Sequence, residues 1–337
     1  MRVLVTGSNG DIGKAISKRL LAKGWHVHMI DQKEEATLAG ISYSQCDIMN
    51  FEALKTQMQG CDAVIHLAAI RAPLMAPNQD VFRINVAGTF NVYEAAAQLG
   101  IKRVVQASSI NAIGCAWQVD EIYPQYFPLD ENHPRFTNDS YSLSKQMVED
   151  IAEYFYHRDG ISGTSLRFPW VYNRKRHISQ TYLERLEHSR NFTRELVEQD
   201  VATQRARLEP LHQEVIAYRK TRPFEFLQAQ KHLPFQQQHS NPLWYIYLFE
   251  RFNFWVALDD RDAAQALEKS ITASYEGSHP LFINYPRNTL GLDSNALVKT
   301  FYPQIKNVTL NADEALVSTN KANSLLDFKA EYPLHDF

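Results

Sequence analysis

Cysteine is scarce in this chain, with three thiols in 337 residues, Cys46, Cys61 and Cys115. They form no CxxC pair and no metal-ligand spacing, and an odd count in a chain this long reads as reduced thiols in a cytoplasmic protein. Long apolar runs are missing too. No stretch of about 18 apolar residues occurs, so no membrane span is expected. The opening "MRVLVTGSNG" is interrupted by glycine too early for a signal peptide. Neither sign of charge is in excess. A formal net charge of -3 advertises no basic face, which argues against nucleic acid and anionic membrane as partners. The twelve histidines show no HExxH or paired spacing, so no metal is expected.

What is present is a hydrophobic share of 45%, enough for a sizeable core. The first half alternates strand and helix signals. "RVLVT" (2–6), "HVHMI" (26–30), "AVIHLAA" (63–69), "RVVQASS" (103–109) and "GTSLRF" (163–168) read as strands, with a short run at 42–45. Ile12, Ile16 and Leu20 form a helical stripe that Gly24 can stop. Further helices are expected around 85–100 and 139–158. This alternation implies parallel pairing with right-handed crossovers, an α/β doubly wound sheet.

Between the first strand and the first helix stands "TGSNGDIG". Gly7 allows a tight turn, Gly10 lets the backbone approach a pyrophosphate, and Gly13 lets the helix pack closely. The helix N-terminus offers free N–H groups and partial positive charge to the phosphates. The spacing is GxxGxxG, so a ligand-free glycine turn is the competing reading. Asp31, at the end of the second strand, tips the balance. A carboxylate there accepts from both adenosine ribose hydroxyls and repels a 2′-phosphate, which points to NAD over NADP.

"TGSNGDIG", Asp31, "CDIMN", "VIHLAA", "NVAGT", "ASSINAIG", "YSLSK" and "LRFPWVY" stand in this order. Together they resemble the extended short-chain dehydrogenase/reductase family, also called the NAD-dependent epimerase/dehydratase family, with some likeness to uronate-type sugar dehydrogenases. The resemblance covers residues 1 to about 173 and resumes near 254. It implies a Rossmann-type fold with a smaller C-terminal substrate region. It also implies that NAD is held by Gly7, Asn9, Gly10, Asp11, Ile12, Gly13, Asp31, Gln32, Asp47, Ile48, Leu67, Ala68, Ala69, Asn85, Ala107, Tyr141, Lys145, Phe168 and Pro169. Asp47 and Ile48 would touch the adenine, and Phe168 and Pro169 would border the nicotinamide. Ser109 matches the family's catalytic serine.

Within "DSYSLSK", Tyr141 and Lys145 lie at i and i+4, on one helix face with Cβ atoms roughly 5–6 Å apart. The ammonium is expected to lower the tyrosine pKa, so that Tyr141 can act as a base while Ser109 holds the reacting oxygen. Asp139 or Ser140 is the expected cap. Arg71 and Asn111 are candidate substrate contacts, an arginine being suited to a carboxylate. His66, in an apolar strand, reads as a core histidine. Arg167 reads as a structural ion-pair partner.

Three regions are therefore expected: a NAD-binding domain at 1–173, a mainly helical insert at 174–253, and a return to the sheet and substrate region at 254–337. The insert departs from the family and lacks its nucleotide-sugar contacts. Its aromatics, Trp244 to Trp255, must pack either on the body of the protein, as a lid over the cleft, or on a second subunit, as a dimer arm. The expected function is NAD-dependent oxidation or reduction of a sugar or sugar-acid hydroxyl or carbonyl. An NAD-retaining sugar epimerase and a non-catalytic NAD-binding scaffold or sensor are the alternatives. The expected partners are a small-molecule substrate and, as an open choice, a second copy in a homodimer.

Overall fold

Val3 and Val5 point to one face of the first strand and Leu4 to the other, and all three are fully buried. A strand apolar on both sides belongs in a sheet covered twice by helices. The computed structural model describes residues 1–335 apart from 37, 39, 115, 221–242 and 244–245. Cys115, Trp244 and Tyr245 therefore lie outside the described residues.

The chain runs β1 (Arg2–Thr6), α1 (Asp11–Ala22), β2 (His26–Asp31), β3 (Ser42–Gln45), α2 (Phe51–Met58) and β4 (Ala63–His66). It continues through α3 (Asn78–Phe82), a π-helical turn (Arg83–Ala87), α4 (Gly88–Gln98), β5 (Val104–Ser109), β6 (Tyr126–Phe127), α5 (Ser140–Asp159) and β7 (Gly163–Phe168). After β8 (Trp170–Tyr172) come α6 (Arg174–His177), α7 (Gln180–Val197) and α8 (Val201–Arg219). The last part holds β9 (Ala257–Asp259), α9 (Asp260–Thr272), β10 (Ser278–Phe282), α10 (Ser294–Phe301), β11 (Asn307–Val308) and α11 (Asn320–Leu326).

Seven strands form one sheet in the order β10-β7-β5-β4-β1-β2-β3, and each pairing is parallel. The strand order reverses at β1, between β4 and β2, and in such sheets the crevice at that switch point is where ligands bind. One face carries a core of Val3, Val5, Ile16, Leu20, Leu267 and Leu326, and the other a core of Leu4, Leu54, Val92, Val104 and Phe155. The doubly wound α/β expectation is borne out, and β7 spans the residues read as a strand.

A third core lies beyond the strand ends and joins Leu196, Leu208, Leu211 and Val215 of the insert to Phe127, Phe301, Tyr302 and Leu316. Helix α7 packs on α10. Among the described residues, the aromatics of the insert's end, Tyr247, Phe249, Phe252, Phe254 and Trp255, are buried inside this same chain. Phe254 meets Phe127 edge-on at 5.8 Å, and Trp255 lies 5.1 Å from Phe301 between ring centroids. Their burial needs no second subunit, which removes the packing argument for a dimer arm. Buried Arg251 and Arg219 pair with Glu121 in the loop that follows the β5 end. The insert is thereby tied to that loop. No helix among the described residues is long and apolar enough to cross a membrane.

Candidate active site

The glycine loop is shaped by collisions that side chains would cause. Gly7 has a φ of +63°, and a Cβ on it would stand 2.6 Å from the Ala68 nitrogen. On Gly13 a Cβ would lie 2.7 Å from the Ser8 oxygen. Gly13 therefore lets α1 close on its own loop, a nearer reason than packing on the sheet. Gly10 differs. Its backbone is extended, and a Cβ there would meet only the Gly7 oxygen, at 3.3 Å. That contact is tight but milder than those at Gly7 and Gly13, so bare backbone at Gly10 also leaves room for close approach of a ligand. The first helical bond runs from the Lys14 N–H to the Gly10 oxygen at 2.9 Å, which leaves the N–H groups of Asp11, Ile12 and Gly13 ahead of the ladder. The loop fits a pyrophosphate.

The adenosine end is equally ordered. Asn9 donates its N–H to Asp31 at 3.1 Å and its amide to the Glu35 oxygen at 3.0 Å. Lys33 N–H reaches the other Asp31 oxygen at 3.3 Å. The Asp31 carboxylate is thus fixed beside the loop, while Gln32 accepts from Gln45 through its carbonyl at 2.9 Å. Asp47 is exposed and accepts from the Met49 N–H at 2.9 Å, and Ile48 is buried. At the end of β4, Leu67 and Ala68 donate their N–H groups to the Thr6 hydroxyl, both at 3.1 Å. They and Ala69 stay partly exposed, as does Ala107. Phe168 and Pro169 are buried at the end of β7.

Helix α5 begins where the sequence reading placed it, with Asp139 capping the Ser142 N–H at 2.8 Å. Tyr141 and Lys145 are both buried on its inner face. Ser109 stands close enough to the Tyr141 hydroxyl to act on its pKa. Ser109 Oγ accepts from the Asn111 N–H at 3.1 Å and from its amide at 3.3 Å. Asn111 is closed off at its other end, where its oxygen accepts from the Ala116 N–H at 3.0 Å. That geometry makes it a holder of Ser109 more readily than a substrate contact. Asn85, in the π-helical turn, bonds to both the N–H and the oxygen of Ile70 and donates to Ser144 Oγ at 2.9 Å. It thereby fixes the β4 loop against α5.

The electrostatics depart from the sequence reading in one respect. Burial pushes the Tyr141 phenol up to about 12, with Ser109 and the Arg71 charge acting downward. Lys145 does not lower it. The ammonium lies 5.9 Å from the Tyr141 ring centre and donates to the Ala107 oxygen at 2.9 Å. Its own pKa is depressed to about 8 by burial, against an upward pull from Glu149. Burial is a tertiary quantity that i,i+4 spacing does not report. Arg71 is exposed at the site's edge and close enough to act on Tyr141.

Sequence reasoning missed what stands behind Lys145. Glu149 takes a bidentate pair of bonds from Arg167, at 2.9 and 2.8 Å, and a third from Ser108 at 2.6 Å. The signal was available, since Glu149 continues the Tyr141–Lys145 face by four residues. Arg167 is a structural ion-pair partner, as expected. His66 is also structural: its ring nitrogens face Thr6 at 2.8 Å and Thr89 at 3.0 Å, and burial holds its pKa down at about 3. A cleft beside the start of α5 is lined by Pro73, Trp117, Thr137, Ser140 and Leu143.

Residues 3–202 match the model of the NAD dependent epimerase/dehydratase family. The chain is 31% identical over 206 residues to a uronate dehydrogenase of Pseudomonas syringae pv. tomato, an alignment taking in 59% of this chain and 71% of that protein. It is 30% identical over 175 residues to an L-arabinose 1-dehydrogenase (NAD(P)(+)) of Haloferax volcanii, across 50% of this chain and 67% of the relative. Among solved structures, a short-chain dehydrogenase/reductase superfamily protein from Agrobacterium tumefaciens with bound NAD superposes with a TM-score of 0.63 at 20% identity. That superposition covers 98% of this chain and 93% of the other.

Proposed function

The chain belongs to the NAD-dependent epimerase/dehydratase family, and from that premise we propose that it oxidises a hydroxyl of a sugar or sugar acid, with Tyr141, Ser109 and Lys145 as its catalytic groups. NAD is the cofactor, and when bound it accepts the hydride. The observation that carries the reading is the convergence of the three side chains at the strand ends, with Tyr141 and Lys145 buried on one face of α5 against the end of β5, where Ser109 stands and Ala107 accepts from Lys145 at 2.9 Å. The relatives that act on uronates and on arabinose point the same way.

In this scheme the substrate hydroxyl sits between Ser109 Oγ and Tyr141 Oη. Ser109 is held by Asn111 and fixes the substrate oxygen. Tyr141 takes the hydroxyl proton as the carbon gives up its hydride. With its pKa pushed up to about 12, the phenol is an acid in the resting site, and positive charge must draw it toward the phenolate. Arg71 supplies part of that charge in the resting site, and Lys145 adds to it when its ammonium leaves the Ala107 oxygen for the phenol. In the reverse direction the protonated phenol already suits carbonyl reduction. Arg71 is the side chain offered to a substrate carboxylate, which a guanidinium grips bidentately. The helical insert covers the substrate side and limits the site to small molecules.

The test is NADH formation by the purified protein with a panel of aldoses, uronic acids and sugar nucleotides. We expect steady NADH release with a free aldose or uronic acid. Inversion of a sugar nucleotide without net NADH would replace this reading with an NAD-retaining epimerase. Turnover of nothing in the panel, with NAD bound, would favour the non-catalytic alternative.

A further inference from the structure

Asp11 is an unexpected neighbour for a pyrophosphate. It opens α1, where a carboxylate suits the helix dipole, but a fixed negative charge there repels a dianionic ligand bound on the same N–H groups. The structure resolves the conflict from a distant part of the chain. After β8 the backbone turns through α6 and returns to the glycine loop. Arg176 Nη1 makes a salt bridge with Asp11, and His177 Nε2 stands 3.8 Å from the other carboxylate oxygen. The Asp11 side chain is 14% exposed and that of Arg176 is 61% exposed, so the guanidinium covers the acid and stays open to solvent beside the glycine loop.

This turn is preformed. Asn173 caps α6 by accepting from the Arg176 N–H at 3.2 Å, and its own N–H donates to His177 Nδ1 at 2.9 Å. Its amide donates to Asp260 at 2.5 Å. Arg174 donates to the oxygens of Pro333 and Leu334, both at 3.1 Å. Arg176 therefore projects from a turn anchored to α9 and to the C-terminal segment.

We propose that Arg176 is a cofactor-binding residue, a strap across the pyrophosphate groove that neutralises Asp11 and presents its guanidinium to the phosphates of NAD. The proposal rests on reading the glycine loop as the pyrophosphate site. It also gives the basic run "NRKRH" (173–177) a purpose outside the substrate cleft.

Direct titration with NAD and with ADP-ribose tests it. Arg176→Ala should weaken both to the same extent, by about tenfold, the loss of a charged hydrogen bond. Adding Asp11→Asn should restore most of that affinity, because the uncovered carboxylate is then gone. Arg176→Lys, which keeps the charge and the fold, should lose less than Arg176→Ala. An unchanged affinity in Arg176→Ala, a loss for NAD but not ADP-ribose, or no recovery with Asp11→Asn would each overturn the strap. Gly10→Val separates the two readings. If it leaves NAD binding intact, the glycine loop is not the pyrophosphate site and both fall; if it abolishes binding while Arg176→Ala is silent, only the strap falls.

Discussion

Lys145 donates a hydrogen bond from its buried ammonium to the Ala107 carbonyl, 2.9 Å away on β5, so in the resting site the lysine is held by the sheet and not by Tyr141. A buried charge with one hydrogen bond is a cost to the fold. The unfolded lysine stays protonated to its ordinary value of 10.5, and the folded one only to about 8. The unfolded state therefore binds more protons between these two values, and stability rises with pH across that window. Lys145→Met should be more stable than the wild type at neutral pH, by about 2 kcal/mol after the lost hydrogen bond is counted. The gap should close between pH 8 and 10.5. Urea unfolding at several pH values reads this directly, and a gap that ignores pH would contradict it.

Tyr141→Phe should reduce turnover by roughly 10²–10⁴-fold, the usual worth of a positioned proton transfer, with NAD affinity nearly unchanged. Wild-type turnover in that variant would remove Tyr141 from the mechanism. Arg71 pulls the Tyr141 pKa down, so Arg71→Ala should move the alkaline limb of the oxidation rate to higher pH. A limb that stays in place would show that Arg71 does not reach the phenol.

His66 should make the protein acid-sensitive. Its folded pKa is about 3, against an ordinary value of 6.5. Below 6.5 the unfolded state takes up a proton that the folded state refuses, so stability falls as pH drops through that window. At about pH 5 the loss is roughly 2 kcal/mol. His66→Gln should flatten the pH dependence of the unfolding midpoint between neutral and mildly acidic buffer, at some cost in absolute stability. An equal slope in the two proteins would mean that other groups carry the acid response.

Asp31 should set cofactor choice. Two backbone N–H groups hold its carboxylate in place, where a 2′-phosphate would meet it. NAD should bind at least about tenfold tighter than NADP, about 1.4 kcal/mol, and Asp31→Ala should narrow the difference. Equal dissociation constants in the wild type would rule out this role.

The first half of the fold could be read from the sequence because its signals are local. Two-residue alternation sets β1, i,i+4 spacing sets α1 and α5, and glycine punctuates both. The insert was legible only as helix. Where its aromatics go is decided by Phe301, Tyr302 and Phe127, which are remote in sequence and carry no period that points to them. The same limit applied at the site. The i,i+4 rule brought Tyr141 and Lys145 to one face, but it could not report how deeply they are buried, and burial governs both pKa values. Asn111 looked like a cleft residue from its place after Ser109, and only the hydrogen bonds show it closing its own turn.

The shared core of the insert and the C-terminal region also sets an order of events on the ribosome. Helices α7 and α8 are synthesised before α10, which α7 packs against. β10 also comes after the insert, yet it must add to the edge of β7. At roughly 5–20 residues per second, on the order of ten seconds pass between completion of α8 and the emergence of Phe301 and Tyr302. For that interval Leu196, Leu208, Leu211 and Val215 have no partner from the end of the chain. The nascent protein is then a nearly finished sheet trailing two helices whose apolar residues await cover, and this is the stage at which a chaperone that binds apolar helices would find it.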